Sequence, residues 1–277
     1  MEWNWLQSLL FGFLSGFAEF LPVSADAHQY LFGYLTGAGN EMLGFRLICH
    51  FGVLAALLLS CSSQLKRLTR ERRIAAAPQK RRKRQPDKKV LMDLRLLRTA
   101  AVPMLLAFVL FLKTQQTAQK LWLLALTLAL NGVILYLPQF FPMGNKESQA
   151  MSSLDSLLIG LGGALAVVPG ISRVGALIST GQLRGGDGQY TADIALMLCI
   201  PALVVLIGFD IYGIYLAQAA LSFHLFLFYI LAAAAAFAGA YFGILLMRFL
   251  AVKVGFSGFA YYCWGAALLT FVLYLTI

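Results

Sequence analysis

A hydroxyl and a guanidinium stand side by side at Ser172-Arg173, inside an apolar run that Pro169-Gly170 breaks just before them and Gly175 follows. Near the N-terminus the same pattern recurs, with Glu19, Pro22, Ser24 and His28 following closely on one another in apolar surroundings. Ionisable side chains are costly in hydrocarbon and by default mark functional sites. Arg173 offers a fixed fork of donors that matches phosphate or carboxylate oxygens. Ser172 can donate to the same oxygen or attack. Glu19 can bind a divalent cation or act as a base. His28 carries protons near neutral pH and can also attack phosphorus. A cation, an anion-binding set of backbone amides and an arginine together describe phosphoryl recognition. Structural roles compete with each of these. Arg173 and Glu19 can simply pair across helices, Ser24 and Ser172 can cap broken helices, and His28 can be a satisfied interior histidine.

The elements that must position these groups belong to a membrane. The chain is 60% hydrophobic and 12% charged, against roughly 25% charged residues in a soluble domain. Several apolar runs reach the ~20 residues that a helix needs to cross ~30 Å of hydrocarbon, which excludes a barrel of short alternating strands. The start, Met1-Glu2-Trp3-Asn4-Trp5, lacks the basic n-region of a signal peptide. Cys49, Cys61, Cys199 and Cys263 are scattered through apolar segments and read as small core residues, with no disulfide framework.

Net charge is +10, yet 14 Lys or Arg and three acids lie between Gln64 and Arg98. An excess confined to one loop argues against nucleic acid as partner and for the positive-inside rule, which puts residues 64–95 in the cytoplasm beside anionic lipid headgroups. The tract 80–86 within it is expected to be disordered. From this anchor, spans are expected over 42–62, 96–113, 121–141, 190–213, 222–247 and 255–276. Residues 6–36 and 156–183 are expected to be re-entrant, because a crossing at 156–183 would move Arg248 and Lys253 to the outside. The fold class is therefore an all-α polytopic membrane protein, with six transmembrane helices plus two re-entrant helix pairs. These form inverted repeats over about 1–141 and 150–277 in one integral membrane domain. Gly16 and Pro22 share the spacing of Gly163 and Pro169. Two such pairs meeting near the midplane would aim free amides and the positive ends of helix dipoles at an anion.

Gly16-Phe17-Ala18-Glu19-Phe20-Leu21-Pro22-Val23-Ser24 through His28, with Pro169-Gly170-Ile171-Ser172-Arg173, resembles the undecaprenyl-diphosphate phosphatase family, also called the bacitracin-resistance protein family. His50-Phe51-Gly52-Val53-Leu54-Ala55 and Phe256-Ser257-Gly258-Phe259-Ala260-Tyr261-Tyr262 add to the resemblance, which covers nearly the whole chain. It implies a multi-pass enzyme of the bacterial plasma membrane that removes the terminal phosphate of a polyprenyl diphosphate, recycling the lipid carrier of cell-wall synthesis. It also implies a divalent cation, Mg²⁺ or Ca²⁺. Glu19, His28, Ser172 and Arg173 then become the catalytic set. Ser24, Gly170, Gly175 and Arg173 bind substrate, and Glu19 holds the metal.

This chain departs from the family pattern at several positions. Ser15 stands where an acidic residue is usual, Ala25 replaces a serine, Val174 a serine, Leu177 a threonine and Cys263 an arginine. Hard divalent cations want several oxygens, so Asp26 is a candidate to restore the missing carboxylate. The phosphate-binding parts are more complete than the catalytic ones. A transporter or flippase of lipid phosphate or a small anion, on the same fold and without cleavage, is the alternative. Sequence leaves open whether Ser172, His28 or water attacks, and it does not give the oligomeric state. His50 reads as a packing or hydrogen-bonding residue. Asp193, Asp210 and His224 are expected near span ends, and Trp3, Trp5, Trp122, Tyr261 and Trp264 as interfacial anchors. Ala232–Ala236 is expected to pack closely against a neighbouring helix.

Overall fold

The computed structural model describes residues 3–37, 41–81, 84–110, 120–142, 144–218, 223–253 and 255–276. Eleven α-helices run through these residues: α1 (Trp5–Phe20), α2 (Ala25–Thr36), α3 (Glu41–Ser60), α4 (Ser62–Ala76), α5 (Lys88–Leu110), α6 (Leu121–Tyr136), α7 (Ser153–Ala164), α8 (Arg173–Leu183), α9 (Gly188–Leu216), α10 (Phe226–Lys253) and α11 (Gly258–Thr276). Among the described residues there is no strand beyond one isolated bridge between Lys146 and Gly186. Five segments are long and apolar enough to cross a membrane: Glu41–Ser60, Leu121–Phe140, Gly188–Leu216, Phe223–Ala251 and Gly258–Thr276.

The expected span over 96–113 begins early, as α5. Asp93, Arg95 and Arg98 in its first half keep it out of those five, and residues 111–119 lie outside the described residues. The expected loop over 64–95 is corrected further: α4 fills its first part and α5 starts at Lys88. Glu71 organises the turn between them. Its carboxylate accepts from Arg84 and from the backbone N–H of Asp87 (3.1 Å). Of the tract expected to be disordered, residues 82–83 lie outside the described residues. Gln79–Arg81 form a 3-10 turn.

The four helices that flank the two breaks are each too short to cross. At 1.5 Å per residue, α1 with 16 residues spans about 24 Å and α2, α7 and α8, with 12, 12 and 11, span about 17–18 Å, short of ~30 Å. Their starts are set by local chemistry. Asn4 and Gln7 form a reciprocal capping box on α1, and Ser152 and Asp155 form one on α7. Each short pair folds back on itself. At the open end of α7 and α8, Arg184 Nε bonds Asp155 Oδ1 at 2.7 Å, and Lys146 N donates to the Gly185 carbonyl at 3.0 Å. At the open end of α1 and α2, Trp3 stacks on Phe32 and, with ring centroids 3.7 Å apart, on Phe45. Trp3 is thus buried core rather than the expected interfacial anchor. Trp5, Trp122 and Tyr261 are exposed, whereas Trp264 is half-buried and donates its indole N–H to the Ala129 carbonyl at 3.2 Å.

Close helix contacts carry the packing. α1 and α3 both lie on α10, α7 lies on α5, and α6 pairs with α11. The alanine run of α10 makes this possible: a Cβ on Gly12 or Gly16 would come within 2.2 Å of the Ala232 or Ala236 carbonyl oxygen. Small residues at such crossings let backbones approach, which is how helices associate where lipid is as apolar as the side chains. The four cysteines are free and buried, as expected.

Candidate functional site

The two breaks between short helices meet. In the first, Pro22 ends α1 and Ser24 carries a φ of +64° before α2 begins. In the second, Gly170 at φ +102° turns the chain towards α8, and a Cβ there would collide with Thr127. Positive φ is open to glycine and strained for serine. The contacts between the breaks are polar and buried. Ser172 Oγ donates to the Leu21 carbonyl at 3.1 Å and accepts from Gly175 N at 3.2 Å, capping α8. Gly175 has no side chain where Pro22 and Leu135 press close.

Asn131 of α6 joins the two breaks. Its Oδ1 accepts from Ser172 N at 2.9 Å, while its Nδ2 donates to the Pro22 carbonyl at 3.1 Å and faces Cys263 Sγ at 3.2 Å. Thr127, one turn earlier, donates to the Pro169 carbonyl at 2.7 Å. These bonds satisfy backbone groups that a broken helix would otherwise leave bare in hydrocarbon.

Charges gather at this junction. Arg173 Nη1 bonds Glu19 Oε1 at 2.5 Å, both side chains being buried, and the guanidinium lies over the Phe108 ring at 5.3 Å. Arg173 Nε is buried without a partner, as are the hydroxyls of Ser15 and Ser24. Asp26, half-buried, acts electrostatically on both Glu19 and Arg173. His28 is held on both nitrogens: Nδ1 lies 2.7 Å from the Ser24 carbonyl and Nε2 2.5 Å from the Tyr262 hydroxyl. A carbonyl only accepts, so Nδ1 carries a proton, and the Tyr262 hydroxyl, which both donates and accepts, is hydrogen-bonded to Nε2.

Glu19, Ser172 and Arg173 are thus in one cluster, with Ser24 and His28 joined to it through the first break. Gly170 and Gly175 serve close approach, and the Gly175 N–H is taken by Ser172. Of the two carboxylates expected to hold a cation, Glu19 is paired with Arg173, and Asp26 acts on it electrostatically. They do not make a closed cage: among the described residues no three His, Cys, Asp or Glu side chains come together as metal ligands.

Sequence reading passed over four groups here. Asn131 and Thr127 were detectable as polar residues inside the apolar run 121–136. Tyr262 was noted only as part of a motif. Asp210 lies near the end of α9, as expected, but is 2% exposed and locked between Arg46 and His50. Burial of a carboxylate requires such partners.

Short broken helix pairs, apposed at a buried Arg–Glu pair within apolar helices of crossing length, define a polytopic membrane protein with a buried charged centre. The bacitracin resistance protein BacA family matches residues 8–269, and the chain belongs to it. Among its relatives, the undecaprenyl-diphosphatase of Nocardioides sp. is 30% identical over 73% of this chain and 72% of its own length. That of Methanobrevibacter smithii is 28% identical over 96% of both chains, and that of Carboxydothermus hydrogenoformans 27% over 94% of both.

Proposed function

We propose that this protein is a membrane phosphatase that hydrolyses undecaprenyl diphosphate to the monophosphate. The observation that carries the reading is the buried Arg173–Glu19 pair at the junction of the two breaks, with Arg173 Nε still lacking an acceptor. A phosphate arriving there finds a guanidinium with unused donors beside the first turn of α8, whose amides and dipole favour an anion. Ser172 is already clasped by Leu21 and Gly175, which suits a cap better than a nucleophile. His28 Nε2, once the Tyr262 hydroxyl gives way, takes the proton of the attacking water. Water oxygen bonds the terminal phosphorus, the bridging P–O bond breaks, and the lipid monophosphate leaves. The Ser24 carbonyl holds the ring at Nδ1 for that transfer. The chemistry a divalent cation supplies when bound to Glu19 and Asp26 is neutralisation of the diphosphate charge. Relatives named as undecaprenyl-diphosphatases favour hydrolysis over lipid-phosphate transport.

The same reading assigns α1–α2 and α7–α8 as re-entrant pairs from opposite faces, with α5 as the sixth span. The contacts support an inverted repeat: α1 on α10 mirrors α7 on α5, α3 on α10 mirrors α9 on α5, and α6 meets α11 near the pseudo-axis. Residues 64–95 then face the cytoplasm, the first pair opens outward, and the site lies in the plasma membrane of a bacterium.

The test is phosphate release from a polyprenyl diphosphate by purified protein with Mg²⁺ or Ca²⁺, beside Arg173→Ala and Arg173→Lys. Release above both variants is expected. Equal release by wild type and Arg173→Ala sinks the reading. Thiol labelling of a cysteine introduced at Lys80 from the inner face only is expected, and labelling from outside overturns the orientation.

A further inference from the structure

His28 meets a partner at each ring nitrogen. Nδ1 lies 2.7 Å from the Ser24 carbonyl and Nε2 2.5 Å from the Tyr262 hydroxyl. The two rings lie within 11° of parallel, with centroids 5.8 Å apart. An imidazole nitrogen has a single in-plane site, a lone pair or an N–H, so it makes one hydrogen bond at a time. With both sites taken, His28 can neither accept a proton from water nor touch a phosphate oxygen. Whichever way the proton lies between Nε2 and the phenol, the ring is closed in this arrangement.

The two partners are not equally fixed. Ser24 is 3% exposed and its carbonyl belongs to the backbone of the first break. On α11 the fixed point is Cys263, fully buried, whose Sγ lies 3.6 Å from the Pro22 carbonyl and 3.2 Å from Asn131 Nδ2. Tyr262, the residue before it, is 48% exposed, and His28 is half-buried. The phenol can therefore turn about its own side-chain bonds while α11 stays clasped to the break. Exposed side chains change rotamer within nanoseconds, so the bond to Nε2 is what keeps this hydroxyl in place.

Chemistry at Nε2 sets where a phosphate must lie. A water giving its proton to Nε2 sits about 3 Å from it, and the phosphorus it attacks sits about 3–3.5 Å further on. The phosphate oxygens then come close to the place the phenol hydroxyl holds. Those oxygens are anionic, and a hydrogen bond to an ionised acceptor is roughly twice as strong as a neutral one. We propose that Tyr262 is a latch exchanged by substrate. Its hydroxyl closes His28 Nε2 until a phosphate arrives, then donates to a non-bridging oxygen of that phosphate and frees Nε2 for water. Only hydrogen bonds change partners in this step, and no covalent bond forms or breaks. The group that opens the latch is the anionic phosphate and not the isoprenoid chain. The inference rests on the reading of His28 as the group that takes the proton, but it requires phosphate binding and not cleavage.

Two measurements on the detergent-solubilised full chain test it. Diethyl pyrocarbonate adds to a free imidazole nitrogen, and peptide mass spectrometry reads His28 against the exposed His224 of the same sample. Without added ligand, His28 should react slowly. Tyr262→Phe keeps the ring and removes the hydroxyl, and should speed that reaction at least about fivefold, the weight of one net hydrogen bond, with His224 unchanged. An unchanged rate at His28 in folded Tyr262→Phe overturns the latch. If Tyr262→Phe does not fold, the second measurement decides alone. A 3-fluorotyrosine placed at position 262 keeps the hydroxyl, and its ¹⁹F resonance should move on adding farnesyl methylene-bisphosphonate and stay with farnesol. No movement with a bisphosphonate that calorimetry shows to bind, or the same movement with farnesol, overturns the exchange alone. A bisphosphonate that does not bind refutes the diphosphate reading and the exchange together. Hydrolysis is measured separately, so an inactive wild type whose Tyr262 still answers the bisphosphonate refutes the phosphatase reading alone.

Discussion

Replacing Asn131 by Ala should separate the two helix breaks without touching a charge. The amide is fully buried, and its loss strips the hydrogen-bond partner from Ser172 N–H and the better of two from the Pro22 carbonyl, which keeps only Cys263 Sγ at 3.6 Å. Each orphaned buried group costs about 1–3 kcal/mol, so two give about 2–6 kcal/mol. At about 2 °C per kcal/mol for a chain of this size, melting should fall by about 4–12 °C. The four buried free cysteines supply the assay: a thiol-reactive fluorophore reports their exposure on heating in detergent. Asn131→Asp separates the two bonds. Its carboxylate still accepts from Ser172 but sets oxygen against the Pro22 carbonyl, so it should melt lower than the alanine variant. Alanine melting within about 1 °C of wild type, with phosphate release unchanged, would refute the view that Asn131 clasps the breaks together.

Glu19→Gln leaves a buried guanidinium without its counter-charge and should cost about 3–5 kcal/mol. The double Glu19→Leu/Arg173→Leu should recover most of that stability by the same melt while releasing no phosphate. Ser24→Gly relieves the positive φ, so it should melt no lower than wild type and gain up to about 1 kcal/mol. It should nonetheless lose activity with the hydroxyl, and a lower melting point would count against strain at Ser24. At the basic segment, the hydrogen bond from Arg84 and then that from Asp87 N–H hold the Glu71 carboxyl down at about 2. A depressed carboxyl stabilises above its ordinary value of 4.5 and loses that contribution as pH falls towards 2. Hydrogen-exchange protection at residues 84–88, relative to the intrinsic rate at each pH, should therefore fall across that window, and Glu71→Gln should show the lower protection already at neutral pH.

Much of this protein was legible because hydrocarbon is a demanding solvent. Apolar run length marked the spans, and Pro22 and Pro169-Gly170 marked the breaks, since each removes or redirects backbone hydrogen bonds that nothing in lipid replaces. Glu19 and Arg173 stood out because each is too costly to bury alone, and they prove to pay for each other. The basic segment misled: its charge fixed attention on solvation, while Glu71 gives it a folded turn that local composition does not reveal. Trp3 misled for a similar reason. An aromatic near a span end suits an interface, and only the positions of Phe32 and Phe45 decide that this one is core.

The sequence by itself determined the solvent, the helical class, the breaks and the residues too expensive to be accidental, because those follow from local composition and the cost of transfer into lipid. Tertiary structure alone decided partnership. Residues 131, 172 and 22, or 46, 50 and 210, come together only when separate helices pack, and pairwise hydrogen bonds between them leave no trace in local pattern. The same packing decides which polar atoms stay unpaired, Arg173 Nε, Ser24 Oγ and His50 Nε2 among them.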